Sequence, residues 1–258
     1  MPSSDRVTSS ASSSRSRRTA SAFAVSSASS RQRPEEAVGY FTNLTSYAKC
    51  PPNVQAQAYF AYGDTLMSLP STDTDTPYGN LEVAIQAFSK LVQLNPNTRI
   101  ALQAQGKMGH CYLQLAGVDT NAALANYRYA SNAYQRVLTA TNGAEFPDRA
   151  EAEMGLGLVL ENQSRLFNGT NRTTLQRRAL DHYLNVVYGN TRRENEPADM
   201  FWVKRAGVER ALPLAESLQA WDQVARLCET LATQLPSLQP TLEKRRTRAE
   251  EQLRKNTN

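Results

Sequence analysis

The stretch LEVAIQAFSKLVQLNPN, residues 81–97, decides the fold class. Leu81, Ala84, Phe88 and Leu91 recur at intervals of three and four, which places them on one face of an α-helix. No period-two alternation competes with that reading, so a strand is excluded. The run stops at Asn95-Pro96, where proline lacks the N–H a further turn needs and pushes the preceding residue out of the α region. The result is one amphipathic helix with an abrupt end.

The same texture spreads outward from it. From Pro34 onward apolar residues keep the helical interval, and breakers such as Pro51-Pro52, Gly117, Asn142-Gly143, Pro147, Gly169, Gly189, Pro197 and Pro236 separate the amphipathic stretches. The spacing predicts about ten helices, over 35–48, 53–69, 79–94, 97–116, 120–140, 148–166, 172–188, 197–218, 220–234 and 239–255. Pro213 should kink or split the eighth. Asn53 and Asn97 are expected as helix caps, and Asp148 with Glu151 as a capping pair.

A repeat underlies these helices. Gly63, Gly109, Gly157 and Gly207 are spaced by 46, 48 and 50 residues. Ala84, Ala130 and Ala179 are each followed four residues later by an aromatic (Phe88, Tyr134, Tyr183), with spacings of 46 and 49 between the alanines. Two independent markers therefore share one period.

These residues resemble the tetratricopeptide repeat (TPR), whose pattern is an aromatic followed by Leu-Gly-x-x-Tyr, then Ala-x-x-x-Phe, then Pro. The first full repeat offers Tyr59, Tyr62, Gly63, Leu66, Ala84, Phe88, Leu91 and Pro96. The second offers Met108, Gly109, Tyr112, Ala130, Tyr134 and Val137; the third Leu156, Gly157, Leu160, Ala179, Tyr183 and Val186. A fourth, weaker repeat has Ala206, Gly207, Val224, Cys228, Leu231 and Pro236, and a half repeat with Ala37, Phe41 and Leu44 opens the array. The period of 46–50 exceeds the usual ~34 of that family. The excess lies between the two helices of a pair, as the stretch LPSTDTDTPYGN in the first repeat and as extra turns from DTNAALANYRY in the second. Arg210 also stands where the pattern wants Tyr or Leu.

The resemblance implies an all-α, right-handed superhelical solenoid of helix-turn-helix repeats across residues 35–236, with 237–258 as a capping helix. Glycine lets paired helices approach closely, and the aromatic of the second helix fills the space beside it. The concave face in such proteins comes from the first helix of each pair. Carried over, its lining here is Gln57, Phe60, Asp64, Gln103, His110, Glu151, Met154, Leu158, Glu161 and Lys204. The family's carboxylate-clamping subclass needs Lys, Arg and Asn in that lining, which Phe60, Asp64, Met154 and Glu161 do not provide.

Charge narrows the function further. The chain of 258 residues carries 29 basic and 24 acidic side chains, a formal +5. Residues 1–34 hold six arginines, thirteen serines and a single acid, Asp5, which accounts for the whole excess. The rest is neutral and lacks the basic footprint of a nucleic-acid-binding domain. The Ser/Arg-rich tail buries too little to repay the entropy of ordering and reads as disordered, although Arg17-Arg18 gives a weak targeting hint. The cytoplasm is favoured, and no stretch approaches the ~18 apolar residues of a membrane span.

Chemistry is poorly supplied. Gly155-Leu-Gly157 lacks the third glycine and the preceding strand of a dinucleotide fingerprint, and reads as close-packing glycines in a helix. Asp181-His182 are neighbours on a helix, point about 100° apart, and read as a surface pair rather than as part of a triad. His110-Cys111 reads as an exposed imidazole beside a buried thiol, and Cys228 as core. Neither a metal nor an organic cofactor is expected, and no enzyme activity. The sequence points to a scaffold that binds a peptide or partner helix with apolar anchors and some positive charge. The alternative is a structural subunit of a bacterial envelope or trafficking assembly, docking through its convex side and loops.

Overall fold

Helices follow the apolar intervals closely. A computed structural model describes residues 34–47, 50–69 and 78–257, and the described residues contain helix, turns and loops but no strand. The N-terminal tail, residues 48–49, the stretch 70–77 and Asn258 lie outside the described residues, and with them the expectation of a disordered tail. The chain divides into two compact units at the Pro96–Asn97 turn, whereas the sequence reads as one continuous array. Asn97 takes a φ of 61° there, in the left-handed region that asparagine tolerates better than most residues.

The first unit holds α1 (Pro34–Ser46), α2 (Pro52–Ser68) and α3 (Gly79–Leu94), packed α1 on α2 and α2 on α3. Ala37 and Phe41 of α1 are buried against Ala61 and Tyr62 of α2, so the opening half repeat does supply a packed helix. Phe88 of α3 is fully buried, a burial worth roughly 1.5–3 kcal/mol. Its ring lies over Gly63: a Cβ there would meet ring carbons at 2.6 Å, closer than carbon atoms tolerate. Asn53 lies inside α2 rather than capping it, because Pro52 already occupies the first helical position.

The second unit holds α4 (Arg99–Val118), α5 (Ala123–Thr139), α6 (Phe146–Ser164), α7 (Gly169–Val187), α8 (Met200–Ala206), α9 (Leu212–Ser217), α10 (Trp221–Gln234) and α11 (Gln239–Thr257). Each packs on its neighbour in order, save that α8 and α9 meet through the turn between them; α4 also lies beside α6, and α6 beside α8. Thr98, not Asn97, caps α4: its Oγ1 accepts from the Ala101 N–H at 3.3 Å. α6 begins two residues earlier than expected, with Pro147 in its first turn. Asp148 is consequently the third residue of that helix, and its Oδ2 accepts from the backbone N–H of Glu145 at 2.9 Å. The extra turns foreseen in the second repeat are present from Ala123; ahead of them Asp119 Oδ1 accepts from Asn121 and Ala122 to form a tight turn.

The glycine–aromatic pairing recurs in this unit. A Cβ at Gly109 would lie 2.7 Å from the Tyr134 ring, and one at Gly157 would collide with Tyr183. In the fourth pair the side chain over Gly207 is Leu231, at 2.6 Å, while Cys228 is buried beside it. Tyr134 meets bare helix backbone twice, because Gly155 of the following pair also abuts its ring. The two close-set glycines of α6 therefore serve two different rings.

The eighth expected helix is split, as Pro213 requires. α8 runs into a π-helical turn, Gly207–Ala211, and α9 resumes after it. Leu212 N–H donates to Gly207 C=O, five residues back instead of four. The wider turn takes up one extra residue just ahead of Pro213, which brings no N–H to the helix ladder. The last helix, α11, packs on α10, and Arg245 makes a two-pronged bond to Glu216, at 2.9 and 2.8 Å. Burial pushes the Cys228 thiol up to about 11, which suits a packing role.

Candidate functional site

The ten lining positions do not share one environment. In the first unit Gln57 and Asp64 are exposed on α2, while Phe60 is half-buried with its ring edge-on to Phe88, centroids 5.8 Å apart. Phe60 thus spends part of its surface on the pair's own packing.

In the second unit His110, Glu151 and Lys204 are exposed and Gln103, Leu158 and Glu161 half-buried. Met154 must be withdrawn from the lining. It is 3% exposed and belongs to the core with Phe146, Ala150 and Tyr183. The helical interval that places it one turn from Leu158 also turns it inward, because α6 is packed on several sides and keeps little free face. Leu158 itself rests against the core around Tyr134 and Val159.

Polar members of the set are also partly engaged. Gln103 Nε2 donates to Asp148 Oδ1 at 3.1 Å, bridging α4 and α6. Glu161 Oε2 accepts from the Tyr183 hydroxyl at 2.7 Å and lies 4.0 Å from Arg210. Burial, together with the Glu161 charge, drives the Tyr183 phenol far above its ordinary range. His110 stays exposed on α4 beside the buried Cys111, as the sequence implies. Desolvation of its ring, with Lys107 and Arg205 adding their charges, holds its pKa below the ordinary imidazole value.

Arg205 and its neighbour Phe201 were not singled out by sequence. Phe201 is 58% exposed at the start of α8, and the Arg205 guanidinium lies 5.8 Å from the centroids of both Phe201 and Trp202. Their signal was a Phe-Trp pair at a helix start, which also suits core packing; Trp202 is in fact half-buried against the core.

Asp181-His182 needs a different account from a surface pair. His182 Nδ1 lies 2.9 Å from Oε1 of the buried Glu153, and Asn185 Nδ2 donates to the same oxygen at 2.6 Å. The imidazole and amide thereby satisfy a carboxylate inside the α6–α7 interface, while Asp181 is exposed. Among the described residues no group of three or more His, Cys, Asp or Glu side chains has the arrangement of a metal site. Nor is any helix among them long and apolar enough to cross a membrane. No family model, curated protein or solved structure matches this chain.

Proposed function

We propose that this protein is a non-enzymatic interaction scaffold that holds a peptide or partner helix on the first helices of its pairs. The carrying observation is the side-by-side placement of α4, α6 and α8, with His110, Glu151 and Lys204 exposed one on each, and exposed Phe201 in the same short helix as Lys204. Charges of both signs with an aromatic anchor suit a segment that brings an apolar side chain and mixed polarity. The resemblance to tetratricopeptide repeats supports the same use of that face. Chemical transformation is not part of this reading.

The test is crosslinking of the full chain in its host, followed by repetition with the His110→Glu, Lys204→Glu double variant. Partners captured by the unaltered chain should be weakened at least tenfold, ~1.4 kcal/mol, in the variant, with an unchanged melting temperature. Undiminished capture would refute this face as the working one.

A second reading has its own observation. Leu124 and Tyr129 on α5, together with Leu166 and Tyr188 at helix ends, are exposed although large and apolar. They favour a structural subunit docked through second helices and loops. Leu124→Lys with Leu166→Lys would then abolish capture, while the His110→Glu, Lys204→Glu variant would capture as the unaltered chain does.

A further inference from the structure

A cleft of about 370 Å³ opens where the end of α6, the first turns of α7 and the π turn converge. Arg165, Arg172 and Arg210 line it, along with Glu161, Glu209 and Ser164. Their charges do not cancel. Glu161 is already committed to the Tyr183 hydroxyl and faces Arg210 at 4.0 Å. Ser164 Oγ is spent on the Glu161 carbonyl at 2.6 Å. Among the described residues no carboxylate is paired with Arg165 or Arg172. That leaves two unpaired guanidinium groups against one carboxylate, Glu209.

Two further features mark this place. Arg172 sits in the first turn of α7, where no acidic side chain offsets the positive end of the helix dipole, and Asn168 supplies no side-chain cap. The π turn places Glu209 and Arg210 in the wall of the cleft, and Arg210 is the residue that departs from the repeat pattern. π-helical turns within α-helices are frequent at binding sites. A residue that breaks the packing pattern and a turn that breaks the helix thus meet in one cavity.

We propose that this cleft binds a single phosphate-type oxyanion, gripped by Arg165 and Arg172 with Arg210 behind them. Planar guanidinium groups match the oxygens of such an ion two at a time, and both Arg165 and Arg172 are exposed and free to turn toward it. Glu209 opposes the ion and weakens its hold. The ion is either free phosphate or the phosphoryl group of a modified side chain on a partner. This inference does not depend on the scaffold reading above, since the cleft lies at helix ends and shares only Glu161 with the proposed lining.

Calorimetric titration of the full chain at low ionic strength with inorganic phosphate, and separately with a phosphoserine heptapeptide and its unphosphorylated twin, tests it. Saturable binding is expected, lost by tenfold or more in Arg165→Gln, Arg172→Gln and strengthened severalfold in Glu209→Gln. The opposite signs separate a binding role from damage to the fold, which melting temperatures check directly. Tighter binding of the phosphopeptide than of phosphate assigns the ion to a partner; equal or weaker binding assigns it to free phosphate. The site is overturned if neither phosphate nor phosphopeptide binds saturably, or if the double arginine variant binds as the unaltered chain does.

Discussion

Two glycines three residues apart on α4 have opposite obligations. Gly109 faces the Tyr134 ring with no room for a Cβ, whereas a Cβ at Gly106 would meet nothing within 4 Å. Gly106 therefore carries only the entropic cost of glycine in a helix, and Gly106→Ala should raise stability by about 0.5–1 kcal/mol. Gly109→Leu overpacks the α4–α5 interface and should cost ~1–3 kcal/mol. Urea unfolding of both variants beside the parent chain measures the pair, and changes of the same sign would contradict the assigned contacts. The sequence marked Gly109 through its period of recurrence. It did not distinguish Gly106, since a helical glycine without a repeat partner leaves no trace in spacing.

Elements are joined by a device of a different kind, a buried arginine. Arg149 of α6 is 4% exposed; its Nε donates to Thr191 C=O at 2.9 Å and its NH1 to Ala144 C=O at 2.6 Å, while NH2 pairs with Glu196. The long connection between α7 and α8 is thereby tied to the start of α6. Desolvation pushes the Glu196 carboxyl up, but the Arg193 N–H and the Arg149 guanidinium outweigh it and hold it below its ordinary value. A carboxyl lowered in the folded state contributes stability above its unfolded value of ~4.3, and that contribution is lost as pH falls through the folded value. Arg149→Met should cost about 1–3 kcal/mol by leaving two carbonyls without a donor, and should flatten the acid limb of the stability–pH curve. Denaturant titrations between pH 3 and 7 of both chains give the comparison (about four pH units spans the titration). Helix positions came out of the sequence within a few residues because apolar interval and breakers are local properties. This anchor did not, because its partners lie 42 and 47 positions downstream and nothing in a charged residue's neighbours tells that it turns inward. The inward face of Met154 was missed for the same reason: period alone does not say how many sides of a helix are covered.

At the scale of the whole molecule, two large apolar clusters among the described residues of the second unit draw only on residues beyond Pro96. Residues 97–258 expressed alone should accordingly remain helical by circular dichroism and unfold in one cooperative transition. A broad, non-cooperative melt would mean that the division at Pro96 does not mark a folding boundary. Within this unit Tyr134 belongs to two helix pairs at once, since the backbones at Gly109 and Gly155 both abut its ring. The pair is therefore not the piece that can be copied or spliced. A pair inserted after α5 would have to arrive with a bare backbone patch on its outer face, or Tyr134 would have nowhere to go. A lineage that lengthens this array by duplication must cut from ring to ring rather than from turn to turn, and a shuffled copy that ignores this rule would be rejected by one phenol.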